Sequence, residues 1–113
     1  MKPIIIQNSK IPVYLSIFIN IYAITLFPFI ISRDEMPDAT INHEKIHIEQ
    51  QRELLVVFFY ILYIWYWLIG KVKGMNNDEA YMNIPFEREA YTQMHDENYL
   101  ANREKHAWRK YIN

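Results

Sequence analysis

The chain has no cysteine among its 113 residues. Disulfides and thiolate metal sites are excluded, which leaves histidine and carboxylate as the available metal ligands. Only two glycines are present, too few for a loop whose backbone amides cradle phosphate. Neither sign of charge dominates. Twelve basic residues stand against 13 acidic ones, a net charge of −1, so electrostatic capture of nucleic acid is not expected. A secretory leader is not expected from the N-terminal residues. Lys2 and Lys10 offer a basic start, but the apolar run beyond them is long, holds Pro12 and Pro28, and lacks a small-residue cleavage site. The expected setting is cytoplasmic or peripheral to a membrane. At this length one domain with a modest core is expected, over residues 1–113.

Apolar and aromatic side chains make up 51% and 16% of the chain, which is rich for a small soluble protein. Residues 11–31 carry no charge and are numerous enough to span a bilayer. Pro12 and Pro28 interrupt that run, and its Ile, Val, Tyr, Phe and Thr content favours strands. The expected elements are an extended lead-in over 1–10, a short apolar segment over 12–20, and strands over 21–26 and 29–32. A polar turn follows, and Asp38 or Thr40 caps a helix. No stop occurs before Gly70, so residues 38–69 form one long helix or two broken near Glu53. The second half, 54–69, is uncharged and apolar on every face. It covers roughly 24 Å, short of a ~30 Å hydrocarbon core. Unless the strands and C-terminal helices cover it, it leaves an apolar patch for a membrane surface, a second copy of the chain or a partner. Residues 70–78 read as a linker and 79–82 as a helical turn. Pro85 opens a third helix to about Asn98. A last helix, roughly 99–111, carries Trp108 and Tyr111 on a basic surface of Arg103, Lys105, Arg109 and Lys110.

One stretch spells out a chemistry: His43-Glu44-Lys45-Ile46-His47. Histidines at i and i+4 lie on one helix face, one turn apart, so both imidazoles can reach one ion. Glu44 lies between them in angle and reaches a water on that ion. Two His ligands, a carboxylate base and an open position for water make up a zinc hydrolase site. The plainer alternative is a solvated helix with His43 and His47 at the surface and Glu44 paired to a neighbour. A third ligand is needed, and Glu87 and Glu89 on the downstream helix are the candidates.

His43-Glu44-x-x-His47, followed some forty residues on by Pro85-Phe86-Glu87-Arg88-Glu89-Ala90, resembles the gluzincin branch of the zincin metallopeptidases. In that branch the third ligand is a Glu on a later helix, three residues before a small residue, usually Ala. The resemblance implies Zn²⁺ held by His43, His47 and Glu87, with Glu44 as general base and Glu89 directed elsewhere. Residues 23–26 and 29–31 fall where such proteins place the strands before the motif helix, one of them the edge that pairs with a peptide substrate. Asn42, Gln50, the aromatic run and Tyr81-x-Asn83-x-Pro85-Phe86-Glu87 are similar to a set of very small HExxH proteins. The resemblance covers roughly residues 21–92. Three positions depart from it. Tyr91 stands where many relatives carry Asp or Asn, so a partner that orients a His ligand must come from elsewhere, and Lys45 and Glu49 are charged where such helices usually are not. Candidates to stabilise an oxyanion are Tyr81, Arg88, Tyr91 and His95, although His95, like His106, reads more simply as a surface residue.

The fold expected is α+β, a minimal zincin-like domain with a small N-terminal sheet or hairpin on the HExxH helix and further helices. The implied activity is zinc-dependent endopeptidase cleavage of a peptide or protein. Two other readings are a non-catalytic zinc-binding interaction module, and a small membrane-associated protein with an inactive motif.

Overall fold

The computed structural model describes residues 3–8, 23–32 and 35–112. The architecture is α+β and mostly helical. Three short strands, β1 (Ile4–Ile6), β2 (Ala23–Leu26) and β3 (Phe29–Ser32), form a sheet in the order β1-β3-β2. β1 runs parallel to β3, with Ile5 opposite Ile30, and β2 runs antiparallel to it, with Thr25 opposite Ile30. β-branched and aromatic residues supply most of these positions, as a pleated, half-buried surface favours. Phe27-Pro28 joins β2 to β3 through a cis peptide bond. The strands expected over 21–26 and 29–32 are therefore present in the described residues, and a bilayer-spanning helix does not run through residues 23–31. The expected segment over 12–20, and Ile21 and Tyr22, lie outside the described residues.

Helix α1 (Asp38–Val72) follows. The expected side-chain cap from Asp38 or Thr40 is not made. Pro37 takes the N-cap position without a side-chain bond, and Asp38 sits inside the first turn, where the helix dipole favours a carboxylate. The helix is two pieces, because Leu55 has φ 55° and ψ 135°. For leucine that backbone costs on the order of 1–3 kcal/mol and persists only where the surroundings fix it. Here they do. Glu53 is held from the C-terminal segment by Arg103 Nη2 at 3.0 Å and the His106 amide at 2.6 Å, while Leu54 packs on the core. The break is thus two residues past the position expected from sequence.

Gly70 does not stop the helix. It lies inside it, close against Ala80. The end comes at Gly74, whose φ of +92° closes a Schellman turn: Met75 N–H donates to Gly70 C=O and Gly74 N–H to Lys71 C=O. Helix α2 (Asn77–Met82) opens with a capping box between Asn76 and Glu79. Helix α3 (Pro85–Gln93) begins with proline as expected but ends well before Asn98. The Asn42 amide reaches the carbonyls of Gln93, Met94 and Asp96 there and substitutes for continuing helix. A single helix over 99–111 is also wrong. Helix α4 (Tyr99–Asn102) stops where Arg103 turns extended, His106 is left-handed, and a 3₁₀ turn, Ala107–Tyr111, finishes the described chain. Trp108 and Arg103 do not form a basic surface: the indole is buried in the core, and the Arg103 side chain is buried between carboxylates.

Two apolar clusters hold these parts together. Phe59, Ile84, Phe86 and Trp108 form the larger one, under the second half of α1, and Ile30, Met36 and Ile48 form the other, between sheet and helix. The polar site borders the larger cluster, where the His47 ring meets Phe59.

Candidate metal centre

His43 and His47 face inward from the first half of α1, both buried, and their Nε2 atoms are 3.2 Å apart. Glu87, in the first turn of α3, brings Oε1 to 3.2 Å from His43 Nε2 and 3.0 Å from His47 Nε2. This is a group of three that could hold an ion. Ligand atoms ~2.0–2.1 Å from one tetrahedral centre stand ~3.3 Å from each other, so the triangle has the size that zinc requires. The surface reading of the two histidines does not survive their burial.

Hydrogen bonds fix which atoms face the centre. Gln50 Nε2 donates to Phe86 C=O and to Glu89 Oε1, each at 3.0 Å. Its Oε1 therefore faces His47 Nδ1, at 2.7 Å, and accepts the proton there. Neutral His47 then carries its lone pair on Nε2, pointed at the centre. Tyr63 OH donates to Glu87 Oε2 at 2.6 Å, which leaves Oε1 for the histidines. Three lone pairs converge in a buried place, and only a proton or a cation reconciles them. Without metal, the proton goes to His47. Burial opposes its charge, but the charge and hydrogen bond of Glu87 outweigh that and push its pKa up to about 9. Burial likewise opposes the Glu87 charge, yet the histidines hold its carboxyl well below the usual range. His43 Nδ1 is buried without a hydrogen-bond partner among the described residues.

Glu44 is half-buried beside the cluster, and its carboxylate accepts a hydrogen bond from the Thr25 hydroxyl on β2. Glu89 is directed away from the triad. It is fully buried and accepts from Gln50, Tyr99 and Arg103. Among the candidates for an oxyanion donor, the Tyr91 ring packs edge-on to His43, 4.4 Å between centroids, and its hydroxyl meets that of Tyr81 at 2.9 Å. Burial above all raises both phenol pKa values, so both stay protonated near neutrality. No hydrogen bond, ion pair or ring contact among the described residues links Arg88 or His95 to the triad.

Of the two strands expected to include a substrate-pairing edge, β2 lies at an edge of the described sheet and β3 does not. β3 lies in the middle of the sheet, and among the described strands β2 is the edge that packs on the motif helix. That edge is already engaged: Gln51 accepts from Phe27 N–H at 2.7 Å and donates to Thr25 C=O at 2.7 Å, and Tyr60 OH donates to the same carbonyl. The Gln51 amide thereby does what one residue of a neighbouring strand would do. Sequence reasoning found His43, Glu44 and His47 by spacing, and Glu87 through the resemblance. It gave no role to Thr25, Gln51, Tyr60 or Tyr63. Only Gln50 carried a usable signal, since i+3 from His47 puts it on a neighbouring stripe of the same helix.

No protein family, curated protein or solved structure gives a match to this chain.

Proposed function

We propose that the chain is a zinc-dependent hydrolase, a minimal metallopeptidase of gluzincin type. The observation that carries this reading is the convergence of His43 Nε2, His47 Nε2 and Glu87 Oε1 at zinc-ligand spacing, with Glu44 alongside. When bound, zinc supplies Lewis acidity, lowering the pKa of water toward 7 and polarising a carbonyl. Gln50 and Tyr63 hold two of the ligands in their tautomer and orientation. Glu44, steadied by Thr25, takes the proton of the attacking water and returns it to the leaving amine. Tyr91, packed edge-on to His43, and Tyr81, whose hydroxyl meets that of Tyr91, are the donors proposed for the negative charge that develops on the carbonyl oxygen.

The engaged edge of β2 favours a second reading, a non-catalytic zinc module, because a peptide strand has to displace Gln51 before it pairs there. Metal content by mass spectrometry decides the first step. One zinc per chain, kept in Glu89→Gln and lost in Glu87→Ala, is the expected result, and no zinc in the wild type after add-back sinks both readings. Cleavage of a peptide library then separates them: Glu44→Gln keeps zinc and abolishes hydrolysis if the chain is an enzyme, and changes nothing measurable if it is a module.

A further inference from the structure

The second half of α1 turns two faces in opposite directions. Phe59, Tyr63, Tyr66 and Gly70 recur at helical spacing and face the core. Val57, Phe58, Ile61, Ile64, Trp65, Leu68 and Val72 occupy about a third of the circumference on the other side, each between 46% and 88% exposed. This arc presents on the order of 1,000 Å² of apolar side chain, about twice the largest patch of an ordinary monomer. By length and composition α1 could cross a membrane. Its other face, however, is occupied by the core and the metal centre, so it cannot be surrounded by lipid.

We propose that this arc lies in the surface of an anionic lipid bilayer, with the helix parallel to the membrane plane and the metal centre on the aqueous side. Charge favours that occupant. No acidic residue occurs between Glu53 and Asp78, and the only charges there are Lys71 and Lys73, which enter no ion pair among the described residues. Lys71 reaches back over the Trp67 ring, 5.8 Å from its centroid. Lysines at the end of an apolar, Trp-containing helix face are the features that meet headgroups at the interface. A second copy fits less well. A protein interface of this size carries roughly one hydrogen bond per 100–200 Å² to set its register, and this arc offers a single donor, the Trp65 indole. A bilayer requires no register.

The test is flotation of the purified full chain with phosphatidylcholine vesicles, with and without phosphatidylglycerol. The chain is expected to float with both and to prefer the anionic vesicles, by about fivefold for each of the two lysines; Lys71→Gln with Lys73→Gln removes the preference. The triple variant Ile61→Ser, Ile64→Ser, Leu68→Ser is expected to lower partitioning by roughly a hundredfold or more. It changes exposed positions only, so its circular dichroism and melting temperature stay those of the wild type. Brominated lipid should quench tryptophan emission in the wild type, and much less in Trp65→Phe. A wild-type chain that does not float overturns the proposal. If that chain is also a dimer by light scattering and the triple variant is a monomer, the face belongs to a second copy.

Discussion

Gln50 shows how much of the candidate metal centre is built outside its three candidate ligands. Its amide is oriented by two acceptors, Phe86 C=O and Glu89 Oε1, and through that orientation it decides which nitrogen of His47 holds the proton. Gln50→Ala leaves all three ligands in place but frees the imidazole to rotate and change tautomer. Zinc affinity should fall by about 10–100-fold, read by competition with a chromophoric chelator; an unchanged affinity removes Gln50 from the centre. Protonation gives a second prediction at this scale. In the metal-free fold His47 keeps its proton up to about pH 9, and zinc needs the lone pair that the proton occupies. Below pH 9, binding therefore releases a proton, and apparent affinity falls by up to about tenfold per pH unit. Calorimetry in buffers of different ionisation enthalpy should detect the release. The same shift sets the stability of the metal-free fold. Because the folded pKa of His47 is raised from 6.5, its contribution is fully present below 6.5 and is lost as pH rises toward 9. Glu87 is shifted downward, so its contribution is present above about 4.5 and is lost on acidification below that.

Among elements, α1 carries the motif, the core and the exposed arc, and the turn at Leu55 lets it do so by re-aiming the second half of the helix. The far end depends on Gly70. A Cβ there would stand 3.0 Å from both Ala80 Cα and Ala80 Cβ, and the Cα cannot rotate aside. Gly70→Ala gains about 1 kcal/mol of helix propensity against an overpacking cost of about 1–3 kcal/mol. The net loss should be about 1 kcal/mol, seen as a fall of a few degrees in Tm. A rise in Tm would mean that α1 and α2 separate freely. The elements also show where sequence is informative. Strands β2 and β3 were legible because β-branched and aromatic residues flank Pro28, and the His pair because both residues lie on one helix turn. Leu55 carries no turn signal. Its conformation is imposed by Glu53 and Leu54 from outside, so local pattern could only suggest a break nearby. Tyr63 was illegible for the same reason, since its reach to Glu87 depends on where that break sends the helix.

Across the whole molecule, the last described segment is tied to the candidate metal centre by one cation that reads in sequence as part of a basic surface. The Arg103 side chain is buried, its Nε 2.5 Å from Glu89 and its Nη2 3.0 Å from Glu53. Glu53 also takes the His106 amide, and Glu89 takes Tyr99 and Gln50. A chain of contacts thus runs from the C-terminal turn through Arg103, Glu89 and Gln50 to His47. Arg103→Met removes the cation and leaves two carboxylates without it, one fully buried, which should cost about 3–5 kcal/mol in urea unfolding. Pairing it with Glu89→Gln takes away one of the stranded charges, so the double variant should lose less than the sum of the two single losses. The effect should extend to the metal. With Glu89 no longer fixed by Arg103, the Gln50 amide loses a firm anchor, and zinc affinity measured in the still-folded fraction should fall with it. If Arg103→Met weakens folding but leaves zinc affinity unchanged, the cluster only fastens the C-terminal segment. If both fall, and Arg103→Lys recovers part of each, then the minimal core of this small chain and its metal centre are stabilised by the same buried cation.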